Sequence, residues 1–548
     1  MITPEELAGA KEQYKSVSFN PLTPLNFLKR AVWAFPNKKA VVHWDEYYTW
    51  RHFAERVYQL AHALKEQGIT RNDRVAILSR NNNAMLEAFY AIGLAGGVSV
   101  PLNYRLNGRD VAYILNHSES KILLLEHTYA EAVQEVIPTL ETTKFFIEIM
   151  PPNLLDEPII GVKYEDFIKD APTDPIDVPV EDERDMISIV YTSGTTGQPK
   201  GCVHTHRGAY LNALGEAIAA GLTSDSSYLW TLPMFHCDGW NFVWAVTAVG
   251  AKHVCLEQVR ADAMYELMTR EKVTNMCAAP TVYLTLAEYM KKNYFKFPCK
   301  VKGFIAGAPP SPLVISESEY CGIEIVHVYG LSETYGPHII CEWLDEWDEL
   351  PITKQAVIKA RQGVPYVQWN PVRVVDDNMN DVPWDGATPG EVVMQGNNVM
   401  QWYFKDREKT DEAFRGGWFH SGDAAAIHRD GYLQIVDRLK DIIATGGEKV
   451  SGVEVEAAIA QHPAVFDVAV YGKPDPKWGE IVKALVQLKQ GETATEEDIL
   501  EWCRDRLSRF KVPREIEFGP VLRTATGKVQ KNLLKKRELE KAAKPPEA

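Results

Sequence analysis

The chain has 548 residues, 45% of them hydrophobic and 24% charged, with 59 Lys and Arg against 74 Asp and Glu and a formal net charge of -15. That length exceeds what one hydrophobic core serves and predicts at least two domains. No apolar run is long enough to cross a bilayer, and the acidic balance excludes a general nucleic-acid binder, which needs basic surface to displace counterions from phosphates. Eight cysteines (Cys202, Cys237, Cys255, Cys277, Cys299, Cys321, Cys341, Cys503) form no C-x-x-C pair or compact ligand cluster and read as reduced thiols. The acidic start MITPEELAGAKEQ lacks the basic and apolar regions of a secretory leader. Together these predict a cytoplasmic protein, or one from another reducing compartment such as an organelle matrix.

From about Tyr48 helical and strand patterns alternate. Phe53, Val57, Leu60, Ala61 and Leu64 share a helical face, and after Gly68 the run Val75-Ala76-Ile77-Leu78 reads as a strand. Further strands are predicted over 98–102, 121–125 and 186–191, separated by helix-length segments, so the fold class is α/β with large mixed or parallel sheets covered by helices.

The segment Tyr191-Thr192-Ser193-Gly194-Thr195-Thr196-Gly197-Gln198-Pro199-Lys200-Gly201 follows a strand and precedes a helical pattern around 210–220. Glycines let backbone N–H groups turn toward an anion, hydroxyls add donors and Lys200 adds positive charge, which together suit a triphosphate. Pro199 and Gly201 stand where a Walker A loop needs glycine and a hydroxyl, so this is no P-loop NTPase. A flexible Gly/Thr linker is the plain alternative. The aromatic-rich stretch 233–244 reads either as core or as a ligand pocket. Beyond 431–438 a helix over 453–460, strands over 465–471 and 482–488, and a helix from about Glu496 with Thr495 and Asp498 as its capping box predict a small, βαβ-like second domain. The tail 538–548 reads as disordered.

The run YTSGTTGQPKG resembles the signature of the adenylate-forming (AMP-binding) superfamily, which includes acyl-CoA synthetases, peptide-synthetase adenylation domains and beetle luciferases. Other motifs of that family stand in its order. Gly307-Ala308-Pro309-Pro310 resembles the adenine-side loop, Tyr329-Gly330-Leu331-Ser332-Glu333-Thr334 the YGxTE segment, and Ser421-Gly422-Asp423 the ribose-binding aspartate. Asp437-Arg438-Leu439-Lys440-Asp441 resembles the interdomain hinge, and Gly527-Lys528 carries the C-terminal lysine. One departure is Leu522-Arg523-Thr524, where the family often has Pro-Arg-Thr.

The resemblance implies an N-terminal adenylation domain over 1–437 and a smaller, mobile α+β domain over 438–548, hinged near Lys440. It implies ATP and coenzyme A as substrates and Mg2+ as cofactor. Thr192, Ser193, Gly194, Thr195, Thr196 and Lys200 are expected on the β- and γ-phosphates, Glu333 with Thr192 on magnesium, and Asp423 with Arg438 on the ribose. Gly307, Ala308, Pro309, Tyr329, Gly330, Ser332, Thr334 and Ile435 complete the implied nucleotide site. Lys528 bridges the substrate carboxylate and α-phosphate. His236, Trp240, Gly307 and Gly330 are the implied acyl pocket, and Thr445, Gly446, Gly447 and Glu448 the coenzyme A contacts.

The activity implied is that of an acyl-CoA synthetase, which makes an acyl-adenylate and passes the acyl group to coenzyme A. Its partners are a small carboxylic acid, ATP and coenzyme A, and a homodimer is compatible with the sequence. Only Asp238 in 233–244 could pair with an amino-acid substrate, so a short- to medium-chain, substituted short-chain or aryl acid is expected. Gly330 stands where acetyl-CoA synthetases carry a tryptophan that shortens the pocket, which argues against acetate as the preferred acid. Loading of a carrier protein and a catalytically silent nucleotide-binding relative are the alternatives.

Overall fold

The computed structural model describes residues 15–151, 154, 157–192, 198–297, 300–307, 310–523 and 529–543. A seven-stranded sheet has the spatial order Val162–Lys163, Phe145–Ile149, Ser120–Glu126, Arg74–Leu78, Val98–Pro101, Met186–Thr192, Lys200–Thr205. It is parallel except at its last pair. A nine-stranded sheet is parallel through its centre, from Lys39–His43 to Ile323–Leu331, and antiparallel at both edges. The predicted 3.6-residue stripe is helix Trp50–Glu66, capped by Thr49, with Phe53, Val57, Leu60, Ala61 and Leu64 all buried. Helix Asn83–Leu94 is buried at every position and touches strands of both large sheets, as its nearly continuous apolar sequence requires. The single acid inside it, Glu87, is kept in the core by paired hydrogen bonds from Arg56 and one from the Tyr164 hydroxyl at 2.5 Å.

A four-stranded antiparallel sheet (Val372–Val375, Gly390–Met394, Phe419–Ile427, Leu433–Arg438) follows, and then the small C-terminal domain. In that domain Val465–Asp475 and Gly479–Leu488 form an antiparallel pair, and only Glu515–Phe518 runs parallel, so the βαβ-like expectation is corrected. Three residues separate the two long strands, which leaves no room for a crossover helix. Helix Glu496–Arg504 begins with the predicted Thr495–Asp498 capping box. Of the tail expected to be disordered, residues 538–543 instead belong to helix Lys531–Ala543, and 544–548 lie outside the described residues. Leu534 is buried in a cluster with Ala469, Tyr471 and Leu485, and Glu538 accepts hydrogen bonds from Lys483 Nζ (3.1 Å) and Tyr471 OH (3.3 Å). Charge that reads as solvated in one dimension is thus satisfied by the sheet beneath it. Among the described residues no helix is long and apolar enough to cross a membrane, and seven cysteines are free and buried, with Cys299 outside the described residues.

The core holds histidines that cannot ionise in place. His253 lies in the nine-stranded sheet; the Trp230 indole N–H donates to its Nδ1 (3.1 Å), and its Nε2 is 3.1 Å from Thr247 Oγ1, so the neutral ring carries its proton on Nε2. Burial pulls His204, His206 and His253 down to about 3, and His327 and His338 down to about 4. The folded state therefore binds fewer protons than the unfolded chain below about pH 6.5, so stability is complete above that value and is lost as pH falls toward 4. We expect the thermal midpoint to drop steeply between about pH 6.5 and 5; a midpoint that stays flat across that window would show that these rings are hydrated in the folded protein.

Candidate active site

The loop expected to cradle phosphates closes an antiparallel hairpin, because Thr192 pairs with Lys200; Ser193, Gly194, Thr195 and Thr196 lie outside the described residues. The predicted passage from loop to helix is corrected: strand Lys200–Thr205 intervenes before helix His206–Ala219, which Thr205 caps. That strand is paired on both edges, which is why a six-residue polar-looking segment holds an extended form. On its outer side Phe404 N donates to Gly201 O (2.7 Å), Val203 N to Trp402 O (3.0 Å), and Gln401 N to Val203 O (2.9 Å). This pairing brings Tyr403 under the phosphate hairpin. The Lys200 ammonium sits 4.0 Å from the Tyr403 ring centroid, and the Tyr403 hydroxyl donates to Glu333 Oε1 (2.8 Å). Burial, and after it the Glu333 carboxylate, push the Tyr403 phenol's pKa far up, so it remains a donor. Tyr403 was not among the residues expected here, since nothing in its aromatic run links it to residues 200 and 333.

Glu333 lies in the turn Ser332–Thr334 after strand Ile323–Leu331. Met400 N donates to its carbonyl (2.7 Å), and Thr334 Oγ1 accepts from Leu331 N (2.8 Å). Asp423 is buried and brings together three predicted residues. Its Oδ2 accepts from Tyr329 OH (2.7 Å), and its Oδ1 pairs with Arg438 Nε at 3.2 Å across adjacent strands. A carboxylate whose two oxygens are held apart in this way is rigid enough to receive paired hydroxyls. Ile435 is anchored beside it by Gln362, whose Oε1 accepts from the Ile435 amide (2.6 Å). Gly307 has a left-handed φ of 87°, while Ala308 and Pro309 lie outside the described residues.

The aromatic stretch forms a left-handed turn ahead of helix Phe242–Val249. Cys237, Asp238, Gly239, Trp240 and Asn241 all have positive φ, from 49° to 65°, and Trp240 N and Asn241 N donate to His236 O and Cys237 O at 3.0 and 2.9 Å. Each non-glycine residue in that region costs about 1–2 kcal/mol, less for Asn and Asp. Side-chain contacts hold the turn. A Cβ at Gly239 would meet the Trp230 ring at 2.2 Å, so only glycine fits there. Asn81 fastens the preceding loop by donating to Trp230 O and Leu232 O and accepting from Met234 N, at 2.8–2.9 Å. His236 is pushed down to about 3 by burial and next by Arg105, so the ring is neutral, and its Nε2 has no hydrogen-bond partner among the described residues. Trp240 packs on Gly336, where a Cβ would lie 3.2 Å from Trp240 Cα. A Cβ at Gly330 would lie 1.9 Å from the Gly336 carbonyl oxygen, so the space beside Gly330 is filled by backbone.

Asp238 does not face a ligand. Fully buried, it accepts from Ser188 Oγ (3.1 Å) and from the Tyr335 hydroxyl, and burial raises its carboxyl to about 7. In the C-terminal domain Gly446 and Gly447, with φ of 59° and 90°, form the two-residue turn between Ile443–Thr445 and Glu448–Val450, whose positive φ at both places favours glycine. The Trp478 ring closes on this turn: a Cβ at Gly446 would meet it at 2.7 Å. Lys440 is exposed in the turn Leu439–Asp441 between strands Leu433–Arg438 and Ile443–Thr445, and its carbonyl accepts from Lys535 Nζ (3.4 Å). Lys528 lies outside the described residues.

The sequence matches the AMP-binding enzyme family over residues 28–404 and the AMP-binding enzyme C-terminal domain over 454–528. The chain belongs to the AMP-binding enzyme family. Its relatives in that family include 4-hydroxybutyrate–CoA ligase 2 of Metallosphaera sedula, 48% identical over 96% of each chain, and acetate–CoA ligase CCL3 of Humulus lupulus, 40% identical over 96% of each. The crystal structure of the anthranilate CoA ligase AuaEII with anthranoyl-AMP superposes with a TM-score of 0.87 at 25% identity, covering 96% of this chain and 99% of that one. This AMP-binding enzyme is an acid–thiol ligase with a large N-terminal and a small C-terminal domain. Tyr403→Phe keeps the ring under Lys200 but removes the hydrogen bond to Glu333. A bond to a charged group is worth about 1.5–3 kcal/mol, so we expect kcat/KM for ATP to fall at least about tenfold in pyrophosphate-release assays, with an unchanged thermal midpoint. An unchanged kcat/KM would remove Tyr403 from the site.

Proposed function

We propose that this acid–thiol ligase joins short- to medium-chain, substituted short-chain or aryl carboxylic acids to coenzyme A, with ATP cleaved to AMP and pyrophosphate. The observation that carries this reading is the position of Asp238. It is the only acidic residue of the acyl-side stretch, and its carboxylate is consumed by Ser188 and Tyr335 inside the core. No acid in that stretch is left to hold a substrate ammonium group, so an uncharged tail against Phe235, His236 and Trp240 suits the site. The relatives named for 4-hydroxybutyrate and acetate and the anthranilate ligase support this class.

In the first step a carboxylate oxygen attacks the α-phosphorus of ATP, and the bond to pyrophosphate breaks as the acyl-adenylate forms. Both reactants are anionic, so catalysis consists of positioning and charge neutralisation. Lys200, seated on Tyr403, serves the outer phosphates with the 192–196 loop; Asp423 and Arg438 hold the ribose; Lys528 bridges the carboxylate and α-phosphate. Glu333 fits a magnesium ion. Its Oε1 is occupied by Tyr403, while its Oε2 has no hydrogen-bond partner among the described residues, and Thr192 adds a hydroxyl. Such hard oxygen donors suit Mg2+, which supplies neutralisation of the departing pyrophosphate. In the second step the coenzyme A thiol attacks the acyl carbonyl, AMP leaves, and the thiol proton passes to solvent. The 438–548 domain turns about Lys440 between steps and brings the Thr445, Gly446, Gly447, Glu448 turn to the pantetheine route, because Lys528 must withdraw before a thiol can enter.

Pyrophosphate release is to be measured with ATP and magnesium against acids from acetate to decanoate, 4-hydroxybutyrate, methylthiopropionate, benzoate and cinnamate, each with and without coenzyme A. We expect full turnover to require both acid and coenzyme A and to be greater on a longer acid than on acetate; turnover limited to amino acids, or independent of coenzyme A, would overturn the proposal. Lys528→Ala should abolish adenylation and leave thioester formation from supplied acyl-adenylate in place; equal loss of both half-reactions would reject its role.

A further inference from the structure

The left-handed turn 237–241 and the nucleotide turn around Glu333 come from segments almost a hundred residues apart, yet both ends of the first are fastened to one residue of the second. Asp238 Oδ2 accepts from the Tyr335 hydroxyl, and the Asn241 side-chain amide donates to the Tyr335 carbonyl. Tyr335 is itself left-handed, with φ 55°, immediately after the Ser332–Thr334 turn. It is fully buried and immobilised from every side. Its ring stacks on His204 with centroids 4.0 Å apart and planes 7° from parallel, and its carbonyl also accepts from Asn212 Nδ2 (3.2 Å). Asp238 is further tied through Ser188 to strand Met186–Thr192, which leads into the phosphate hairpin. Cys237 Sγ, next to Asp238, lies 3.9 Å from Leu331 O, so the two turns are in contact as well as bonded.

We propose that Asp238, acting with Asn241 through Tyr335, is a positioning residue that sets the offset between the acyl-side turn and the nucleotide turn, and so brings the acid's carboxylate into line with the α-phosphorus. The inference rests on the reading that the 236–240 turn holds the acid and the Glu333 turn holds the phosphates of ATP. Five consecutive left-handed residues do not keep that form unaided, because the right-handed alternative is sterically favoured at four of them. Release of the Tyr335 clamp lets the turn relax and moves His236 and Trp240 with it. The Glu333 turn keeps its own supports, Met400 N on the Glu333 carbonyl, Leu331 N on Thr334 Oγ1 and the Tyr335 ring on His204, so ATP binding is untouched. In-line attack tolerates little displacement: about 1 Å costs about a hundredfold in rate. Once the acyl-adenylate exists, acid and phosphate are joined covalently and the offset no longer matters.

That asymmetry separates positioning from general support of the fold. Adenylation is to be followed as acid-dependent pyrophosphate release, and thioester formation from supplied acyl-adenylate is to be followed separately, in the full chain carrying Asp238→Ala, Tyr335→Phe, both together, or Asp238→Asn. Expected are a fall of about 30- to 100-fold in adenylation kcat for each of the first two, KM for ATP within about twofold, and thioester formation nearly intact. The double variant should be no worse than the worse single one, since both remove the same bond. Asp238→Asn should recover most of the rate, because its amide oxygen still accepts from Tyr335 and its NH2 group can donate to Ser188. Tyr335→Phe loses one oxygen atom only and carries the test if Asp238→Ala fails to fold. Adenylation kcat of Tyr335→Phe within about twofold of wild type, equal losses in both half-reactions, or losses that multiply in the double variant would overturn the clamp. Wild-type protein that releases no pyrophosphate with any acid would overturn the ligase reading itself.

Discussion

Everything at the nucleotide end hangs on one short strand held by its neighbours on both edges. Lys200–Thr205 pairs with Met186–Thr192 on one side and with residues 401–404 on the other, so the seven-stranded sheet, the phosphate hairpin and the segment leading to the four-stranded sheet share one ladder. Three consequences follow from that double pairing. Lys200 is delivered to the hairpin mouth, Tyr403 is delivered beneath it, and the Tyr403 hydroxyl reaches Glu333. A ladder satisfied on both edges leaves the strand no register to slip into. The spacing between cation and carboxylate is therefore fixed by backbone hydrogen bonds, while two flexible side chains have only to reach across it.

The site combines this rigid anion platform with an acid side that is kept neutral. Burial holds His236 uncharged, and Asp238 is withdrawn into the core with its oxygens satisfied. In the proposed site the substrate carboxylate therefore meets neither an imidazolium that would hold it back nor a free carboxylate that would draw cations from it. In a partly dry site an uncompensated anion beside the reacting carboxylate would raise the barrier to attack on a polyphosphate, because Coulomb repulsion is weakly screened there. The strained turn and the neutral ring thus serve one requirement, an uncharged approach to a charged electrophile.

The fold class and most element positions were legible because the helical stripe of Phe53, Val57, Leu60, Ala61 and Leu64 and the strand runs report burial directly, and the capping box of Thr495 and Asp498 is a local signal. Asp423, Arg438 and Tyr329, which the motifs assign to one site, do converge in space. What remained hidden depends on long-range partners. The strand after the phosphate loop exists because of residues two hundred positions later, the C-terminal helix because a sheet presents Lys483 to Glu538, and the left-handed turn because Trp230 and Tyr335 enclose it. Asp238 stood in the sequence as the one residue of its stretch able to pair with an ammonium group, because sequence gives its charge and not the direction in which a left-handed backbone points it.

The two glycines that face each other across the hairpin limit which side chains this part of the backbone accepts. Gly330 has the Gly336 carbonyl where its side chain would grow, and Gly336 in turn backs onto Trp240. The close approach of these two strands, and of the Trp240 turn behind them, is thus written into the backbone. A large residue at either glycine needs the bulged pairing between Ile323–Leu331 and Gly336–Ile340 to be rebuilt along with it. A single side chain added at Gly330 meets backbone that moves only if the facing strand moves with it, so the two strands and the turn behind them have to change as one unit.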